Sequence, residues 1–589
     1  MKTPSRSSRH RRPSASHEPW RAAGLRKGRL YGVPREAIER AEERRLAGDW
    51  RGACAAAGVH VDLDPGALRR AHGSEFTERL LDDLRHLVPD LARLHLPRSW
   101  KGVGLVIPGH DALLSRPGGP EGPWLTLGLR DARIIGDQRP TLAVQERRTG
   151  PDLAYSPQGR PFIPRTARSS PTGHWRGLPQ VWETARHLWD SRHTGRARER
   201  WGGDAHRVPF LDPDGTPRKD LPSGDPGPGD PVARAEWIDG LHQAGRVLEA
   251  FAAAGIGFAE KVVAAPGGEG PPTMDPVAVA ARLPLSPARL AREVRHLAAT
   301  GLGTGFQLPV DTHTTLVASL DGDTVRVAFT EFADGFSAGL PVLPDAFWTR
   351  PPDVDVLRDG MSPDELHPLV REAIAPDHVP GAPPEPAFAD RTPVRVRCQG
   401  EWHAVAPADG GLDVPHTDEE WRREESLRGL GGSSSGCFAV AEAWTSGRGR
   451  LPRELRRRRD DLFERVRHGD TGAVVRYLDG GGAPGIRDAS GRTLLHHLRF
   501  LDHEVLLPRL LAAGLDVDTE DDLGRTPLYY AAVESTQTGP ARSLVRAGAR
   551  TRDLGGFPPA PGPMFCGNYF DYWFEELDAL RDTPATGGP

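Results

Sequence analysis

The stretch Asp488-Ala-Ser-Gly-Arg-Thr-Leu-Leu-His496 returns 33 residues later as Asp521-Asp-Leu-Gly-Arg-Thr-Pro-Leu-Tyr529. In this register the glycine, arginine and threonine of the two copies align. Leu495 of the first copy aligns with Leu528 of the second. A sequence period between about 20 and 50 residues is typical of arrays in which one short structural unit stacks on the next. The two copies therefore decide the expected fold of the C-terminal part of the chain.

The residue types in the repeated pattern have physical roles. Threonine supplies a side-chain oxygen that caps a helix, and proline is pre-set for the first helical position. Glycine before Arg-Thr allows a tight turn, and leucine buries against the neighbouring unit. The positions to which we assign these structural roles are Gly491, Thr493, Leu495, Gly524, Thr526, Pro527 and Leu528.

Helical spacing of apolar residues extends the pattern in both directions. A first helix pair is predicted from Leu462 to Leu478, and Gly482-Ala483 ends it. Further pairs are predicted from Thr493 to Leu511 and from Thr526 to Arg546. The sequence thus predicts about three helical units, which is near the minimum for a stable array.

A period of 33 with a Thr-Pro-Leu-His core resembles the ankyrin repeat, over about residues 460–553. The chain departs from that pattern at Leu494, which replaces proline, and at Tyr529, which replaces histidine. The resemblance implies recognition of a protein partner through loop tips and the faces of the first helices. The positions that match these surfaces are Arg487, Asp488, His497, Arg499, Asp521, Asp522 and Tyr530.

The predicted fold class is multi-domain, with two small α+β domains followed by a C-terminal all-α ankyrin-repeat stack. Short strands are predicted near 104–107, 124–129 and 141–144, and a hairpin around Asp321-Gly322. Ser362-Pro-Asp-Glu365 is a capping box. The predicted regions are a disordered basic tail (1–19), an N-terminal α+β domain (20–148), a Pro/Gly/Arg-rich connector (149–235), a central α+β domain (236–455), the repeats (456–556) and a C-terminal cap or tail (557–589).

The composition limits the classes of function. The chain has 71 arginines but five lysines and one asparagine, which indicates a GC-rich, actinomycete-like bacterial genome. Its net charge of −4 gives no overall field that would attract nucleic acid or a membrane surface. No run of about 18 apolar residues is present, which predicts no membrane span. Four distant cysteines without a C-x-x-C pair favour neither disulfides nor structural zinc and suit a reducing cytoplasm.

Motifs for chemistry are weak. Gly432-Ser-Ser-Ser-Gly436 matches the nucleophile pattern G-x-S-x-G, but a polar helix precedes it where a buried strand is needed, so we interpret it as a loop. No phosphate-binding G-x-x-x-x-G-K-[ST] and no H-E-x-x-H occurs. His313 and His403 are interpreted as structural histidines. The sequence predicts no catalytic residue, no metal ligand and no cofactor.

The leading hypothesis is a non-enzymatic cytoplasmic protein whose repeats bind a protein partner. A basic partner would suit the acidic loop Leu515–Leu523, although a solvated loop has the same composition. One alternative is an enzyme of unrecognised family in residues 20–400 that uses the repeats for targeting. Its mark would be a pocket that collects several of His313, Glu331, His367, Asp377 and His403. A second alternative, a nucleic-acid-binding regulator, requires the arginines of 1–50 and 165–218 on one face.

Overall fold

The described part of the chain forms two compact units. The computed structural model describes residues 19–98, 103–107, 111–119, 122–129, 138–145, 180–264, 274–301, 303–310, 314–331, 340–382, 385–533 and 538–551. The first unit extends to residue 382, except for residues 31–34 and 129–140, which belong with residues from 383 onward to the second unit. Residues 1–18 of the predicted tail 1–19, and the C-terminal segment from 552, lie outside the described residues.

The unit boundary differs from the predicted domain boundaries at 148, 235 and 455. Within the predicted connector, residues 180–235 carry secondary structure and bury three tryptophans, Trp182, Trp189 and Trp201. Burying such large side chains makes this Pro- and Gly-rich stretch part of the first unit's core. Among the described residues, no helix is long and apolar enough to span a bilayer.

Helices and two mixed sheets build the first unit. Its helices are α1 (Pro19–Tyr31), α2 (Arg35–Leu46), α3 (Trp50–Ala56), α4 (Pro65–His72), α5 (Ser74–His86), α6 (Pro89–His95), α7 (Ala197–Arg200), α8 (Pro231–Gln243), α9 (Val247–Ala253), α10 (Pro276–Ala280), α11 (Pro287–Ala299), α12 (Asp345–Trp348), α13 (Pro352–Arg358) and α14 (Pro368–Ile374). Several begin with a side-chain cap followed by proline, as Asp230 does for α8 and Ser286 for α11.

The strands of the first unit are β1 (His60–Asp62), β2 (Ala112–Ser115), β3 (Trp124–Gly128), β4 (Thr141–Gln145), β5 (Gln180–Val181), β6 (Ile256–Phe258), β7 (Val263–Ala264), β8 (Gly305–Pro309), β9 (Thr314–Asp321) and β10 (Thr324–Glu331). The first sheet has the order β1-β4-β3-β2-β5. The second has the order β6-β10-β9-β8, with β7 also paired to β10. The β9–β10 hairpin turns at Gly322, whose φ of +59° suits glycine, and confirms the predicted Asp-Gly turn.

The second unit opens with a three-stranded antiparallel sheet and continues as helices. Its strands are β11 (Val394–Cys398), β12 (Glu401–Ala408) and β13 (Gly411–Asp413), in that order. Its helices are α15 (Asp418–Gly429), α16 (Gly436–Ser446), α17 (Arg453–Arg467), α18 (Thr471–Asp479), a 3₁₀ helix (Leu494–Phe500), α19 (His503–Ala512), α20 (Pro527–Val533) and α21 (Thr538–Arg546). The described chain thus combines helices with several sheets, as the coarse fold class predicts.

The last six helices form three successive pairs. Within each pair the two helices pack on each other, as α17 does on α18 and α20 on α21. Between pairs, the 3₁₀ helix packs on both α17 and α20, and α19 packs on α21. One apolar core runs through the sheet and all three pairs, and Leu494, Leu506 and Leu528 are fully buried in it. No single pair encloses its own apolar face, so the pairs depend on one another for stability.

Candidate functional site

The two copies of the repeated sequence form the same loop. The Oδ1 atom of Asp488 accepts the backbone N–H groups of the residues two and four positions later, at 2.8 and 3.1 Å. The Oδ1 atom of Asp521 accepts the equivalent N–H groups at 2.8 and 2.9 Å. In both loops the glycine has positive φ, +75° at Gly491 and +72° at Gly524. In each loop the aspartate therefore binds the backbone N–H groups, and the glycine supplies the positive φ that the turn requires.

The second carboxylate oxygen of each aspartate binds an aromatic side chain nine residues later. His497 Nε2 lies 3.3 Å from Asp488 Oδ2, and the Tyr530 hydroxyl donates to Asp521 Oδ2 at 2.7 Å. All four side chains are buried. The polar atoms of these four predicted partner-binding residues are thus engaged in bonds within the protein.

The hydrogen bonds to these aspartates decide their charge. Burial raises the pKa of Asp488, but the bonds from His497 and two backbone N–H groups outweigh it and hold the pKa well below the usual range. For Asp521, burial is likewise outweighed by the Tyr530 hydroxyl and two backbone N–H groups, so its pKa is also lowered. Burial and the bond to Asp521 raise the pKa of Tyr530. Both carboxylates are therefore ionised and structural.

The other predicted contact residues also have internal partners. Arg487 donates to the carbonyl oxygens of Gly491 and Glu520, at 2.5 and 2.7 Å, and so links the two loops. Arg499 Nη1 donates to a carbonyl oxygen at 3.4 Å. Asp522 is exposed, and its Oδ1 atom lies 2.5 Å from Nη2 of Arg448. Of the seven predicted contact residues, Asp522 is thus the one with an exposed side chain at a loop tip.

His496 connects one loop to the next. Its Nδ1 atom accepts the Thr493 N–H at 3.0 Å and the Thr493 hydroxyl at 2.9 Å, and its Nε2–H donates to the Arg525 carbonyl at 3.0 Å. An imidazole that accepts at Nδ1 and donates at Nε2 is neutral. Burial lowers the pKa of His496 to about 4, in agreement with this geometry.

The surface that the loops expose consists of their tips. Ala489 and Ser490 form the first tip, and Asp522 and Leu523 occupy the equivalent positions in the second. Leu523 is 61% exposed. The Asp522 N–H donates to the Ser490 carbonyl at 3.1 Å, so the two tips are held side by side.

A second cluster lies in the sheet-containing part of the second unit. Cys398, His403, His416 and Cys437 each direct one ligand atom into a space where all four atoms lie within 4.8 Å of one another. The sequence analysis missed this set because its members come from four separate elements. The signal available in the sequence was Cys398 at the end of one predicted hairpin strand and His403 in the next strand.

The residues named for the enzyme alternative are dispersed. His367 Nε2 lies 2.9 Å from Asp90 in a buried pair of the first unit, whereas Asp377 is exposed. His403 belongs to the cysteine–histidine cluster of the second unit. His313 and the side chain of Glu331 lie outside the described residues.

A cavity of about 480 Å³ opens beside α8 and α11 in the first unit. Ser286 donates to Asp239 Oδ2 at 2.6 Å in its wall, and burial raises the pKa of Asp239 to about 6. The arginines that line it are Arg234, Arg289, Arg292, Arg295 and Arg350. Among the described residues that form its wall there is no histidine to activate the serine.

Most arginines of residues 180–218 form ion pairs within the first unit. Ion pairs join Arg186 to Asp83 and Asp190, Arg192 to Asp82, Asp83 and Asp190, Arg196 to Glu199, Arg200 to Glu293, Arg207 to Glu236 and Arg218 to Asp212 and Glu236. Arg198 instead donates to the Ala205 carbonyl oxygen at 2.5 Å.

Comparison of the chain with protein-family models, with curated proteins and with solved structures finds no match. The function is therefore inferred from the geometry of the described residues. Two features of the second unit stand out: the pair of repeated loops and the cysteine–histidine cluster.

Proposed function

We propose that this chain is a non-enzymatic, cytoplasmic interaction protein that binds a protein partner through a short C-terminal ankyrin-like stack. The observation that carries the proposal is the identical construction of the loops at Asp488 and Asp521. Two loops of the same design, in adjacent helix pairs, present their tips in a row. Repeat arrays use such rows as extended binding surfaces.

Rigidity supports a binding role for the tips. Each loop is held by a buried carboxylate with three bonds, and the Asp522 N–H and the Arg487 guanidinium tie one loop to the other. A surface that is already ordered loses little conformational entropy when a partner binds. This feature favours recognition over a purely structural turn.

The chemistry of the surface suggests the character of the partner. Leu523 offers an apolar contact, and Asp516 and Glu520 are exposed in the preceding loop. We expect an apolar side chain of the partner to cover Leu523 and basic side chains to surround it. A cytoplasmic location fits the three described cysteines, none of which forms a disulfide.

Site-specific photocrosslinking tests the proposal. A photoreactive amino acid is placed at Ser490 or Leu523 of the full-length chain, in the source organism's own extract. A control places it at Arg457, an exposed position on α17. We expect one specific protein adduct from both loop positions and none from Arg457. If the loop positions give no adduct beyond that of the control, the proposal is rejected.

The cavity of the first unit favours a second candidate function, the binding or conversion of a small anionic ligand. Five arginines line its wall, and one of them, Arg234, forms an ion pair with the half-exposed Asp225. The test is a thermal-shift comparison of phosphate and nucleotides with chloride at equal ionic strength. If phosphate or a nucleotide raises the thermal unfolding midpoint of the wild type but not that of Arg234→Gln, this candidate is supported. Equal unfolding midpoints in all salts would reject it.

A further inference from the structure

The β11–β12 hairpin places a cysteine and a histidine on one face. Cys398 ends β11, and along that strand the residues alternate so that Val394, Val396 and Cys398 are buried. His403 on β12 pairs directly with Val396. Because residues directly opposite each other in an antiparallel pair share a face, His403 points to the same side as Cys398.

Two further ligand atoms arrive from the helical side. His416 precedes the capping box at Thr417 that starts α15, and its ring packs 4.4 Å from the Phe438 ring. Cys437 lies in the first turn of α16 and is fully buried. Gly436, the last glycine of the G-x-S-x-G motif, has φ of +58°, and a Cβ atom there would lie 2.5 Å from Cys398 Sγ. Only glycine lets the helix approach the hairpin this closely.

Two distances within the cluster match those between neighbouring ligands of a tetrahedral metal ion. Cys398 Sγ lies 3.6 Å from His416 Nε2, and Cys437 Sγ lies 3.4 Å from His403 Nδ1. Zn–S bonds of about 2.3 Å and Zn–N bonds of about 2.0 Å place a sulfur and a nitrogen ligand about 3.5 Å apart. Each cysteine–histidine pair therefore has the spacing of two ligands on one ion, and all four ligand atoms lie within 4.8 Å of one another.

Each histidine has a carboxylate behind it. His403 Nε2, the nitrogen that faces away from the cluster, lies 4.0 Å from Glu401. His416 Nδ1, which also faces away, lies 3.5 Å from Glu420. A carboxylate near the outer nitrogen orients a metal-binding imidazole and makes it a better ligand. The 4.0 Å contact of Glu401 is longer than a hydrogen bond, and the 3.5 Å contact of Glu420 is at the upper limit for one, so the site rests on the geometry of its four ligand atoms.

We propose that Cys398, His403, His416 and Cys437 bind one structural Zn²⁺ ion. Four protein ligands fill a tetrahedral shell, which leaves no position for a substrate. Thiolate and imidazole ligands together select zinc over magnesium or calcium. Two thiolates also balance the charge of the ion, so a site with little solvent contact remains neutral.

The ion would join the hairpin to α16, and both contribute to the apolar core that continues into the helix pairs. A three-stranded sheet of this size has little core of its own. The zinc ion would thus stabilise the hairpin and α16, and α16 packs on α17, the first helix of the three pairs. This role is independent of whether the repeats bind a partner.

Metal analysis of the full-length chain tests the site. The protein is purified without chelator and its zinc content is measured by mass spectrometry for wild type, Cys437→Ser and His416→Gln. Cys54→Ala, which removes a buried cysteine of the first unit, is the matched control. We expect one zinc per wild-type and control chain and at least a tenfold lower content in the two ligand variants.

A measurement on the wild type alone covers the case in which the variants fail to fold. Zinc is replaced by Co²⁺, and the visible absorption of tetrahedral thiolate-bound cobalt is recorded at a stoichiometry of one. A wild-type protein that takes up neither ion overturns the proposal. So does a Cys398–Cys437 disulfide, or rapid alkylation of Cys437 in the native chain, which would indicate a Cys–His nucleophile instead.

Discussion

Asp488 and Asp521 make the same hydrogen bonds one repeat apart, each to two backbone N–H groups of its own loop and to one aromatic side chain. The equivalence extends to the main chain, because each aspartate N–H donates to the carbonyl of the arginine four residues later. The repeated sequence therefore encodes a repeated loop, and the aspartate is the residue that closes it.

Removal of the Asp521 carboxylate should open the last described helix pair. Asp521→Ala leaves two backbone N–H groups and the buried Tyr530 hydroxyl without their acceptor. We expect a loss of about 3 kcal/mol in the free energy of local opening. Hydrogen exchange of peptides from 526–551 measures it. Asp522→Ala, one position away and exposed, should leave the exchange unchanged; equal effects would contradict the assigned role of Asp521.

The neutral state of His496 predicts a pH dependence. Its pKa is about 4 in the folded protein and about 6.5 in the unfolded chain, so between these values the unfolded state binds more protons. The stability is fully present above pH about 6.5 and falls as the pH drops towards 4, by at most about 3 kcal/mol. Denaturant midpoints followed by circular dichroism at several pH values check this.

A glutamine variant isolates the contribution of that histidine. His496→Gln cannot titrate, so its stability should vary less with pH than that of the wild type. His206→Gln changes an exposed histidine of the first unit, and its free energy of unfolding should vary with pH as that of the wild type does. If the free energy of unfolding of His496→Gln varies with pH as much as that of the wild type, other groups cause the pH dependence.

Gly436 should tolerate no side chain. Gly436→Ala brings a Cβ atom against Cys398 Sγ in addition to the cost of positive φ, about 1 kcal/mol. Gly431→Ala has positive φ too, but open space around it. We therefore expect a lower thermal midpoint and a lower zinc content in Gly436→Ala than in Gly431→Ala. Similar values in both variants would mean that the close approach of α16 and the hairpin is unimportant.

The first unit depends on a buried ion pair between α1 and α13. Arg29 binds Asp353 through two nitrogens at 2.6 and 2.9 Å, and His95 lies 3.4 Å from the same carboxylate. Asp353→Ala leaves a buried guanidinium without its partner and should cost about 3–5 kcal/mol. Denaturation followed by tryptophan fluorescence measures it, with the exposed Asp359→Ala as a control. A variant as stable as this control would contradict the importance of the pair.

Local sequence signals predicted the local structure well. The Asp321-Gly322 turn and the Ser362 capping box are present, since both depend on residues within a few positions of one another. The positive φ values at Gly491 and Gly524 follow from the same kind of short-range rule. These features could be read from the chain because the backbone responds first to its immediate neighbours.

Features that depend on tertiary packing could not be predicted. Asp488 and His497 have the polarity of surface residues, and only the fold shows that they satisfy each other inside it. The ligand cluster of Cys398 and Cys437 unites residues from two strands, a loop and a helix, so no short spacing marks it. The composition of residues 149–235 predicts a connector, because composition does not show that the tryptophans of residues 180–235 are buried.

The affinity of the photocrosslinked partner for loop variants tests the central claim most directly. Calorimetry with the full-length chain should show that Leu523→Asp binds at least about tenfold more weakly than wild type, which corresponds to 1.4 kcal/mol. Val505→Asp, at an exposed apolar position on α19 away from the tips, should bind as the wild type does. If Leu523→Asp retains full affinity, or if both variants lose it equally, the loop tips are not the binding surface.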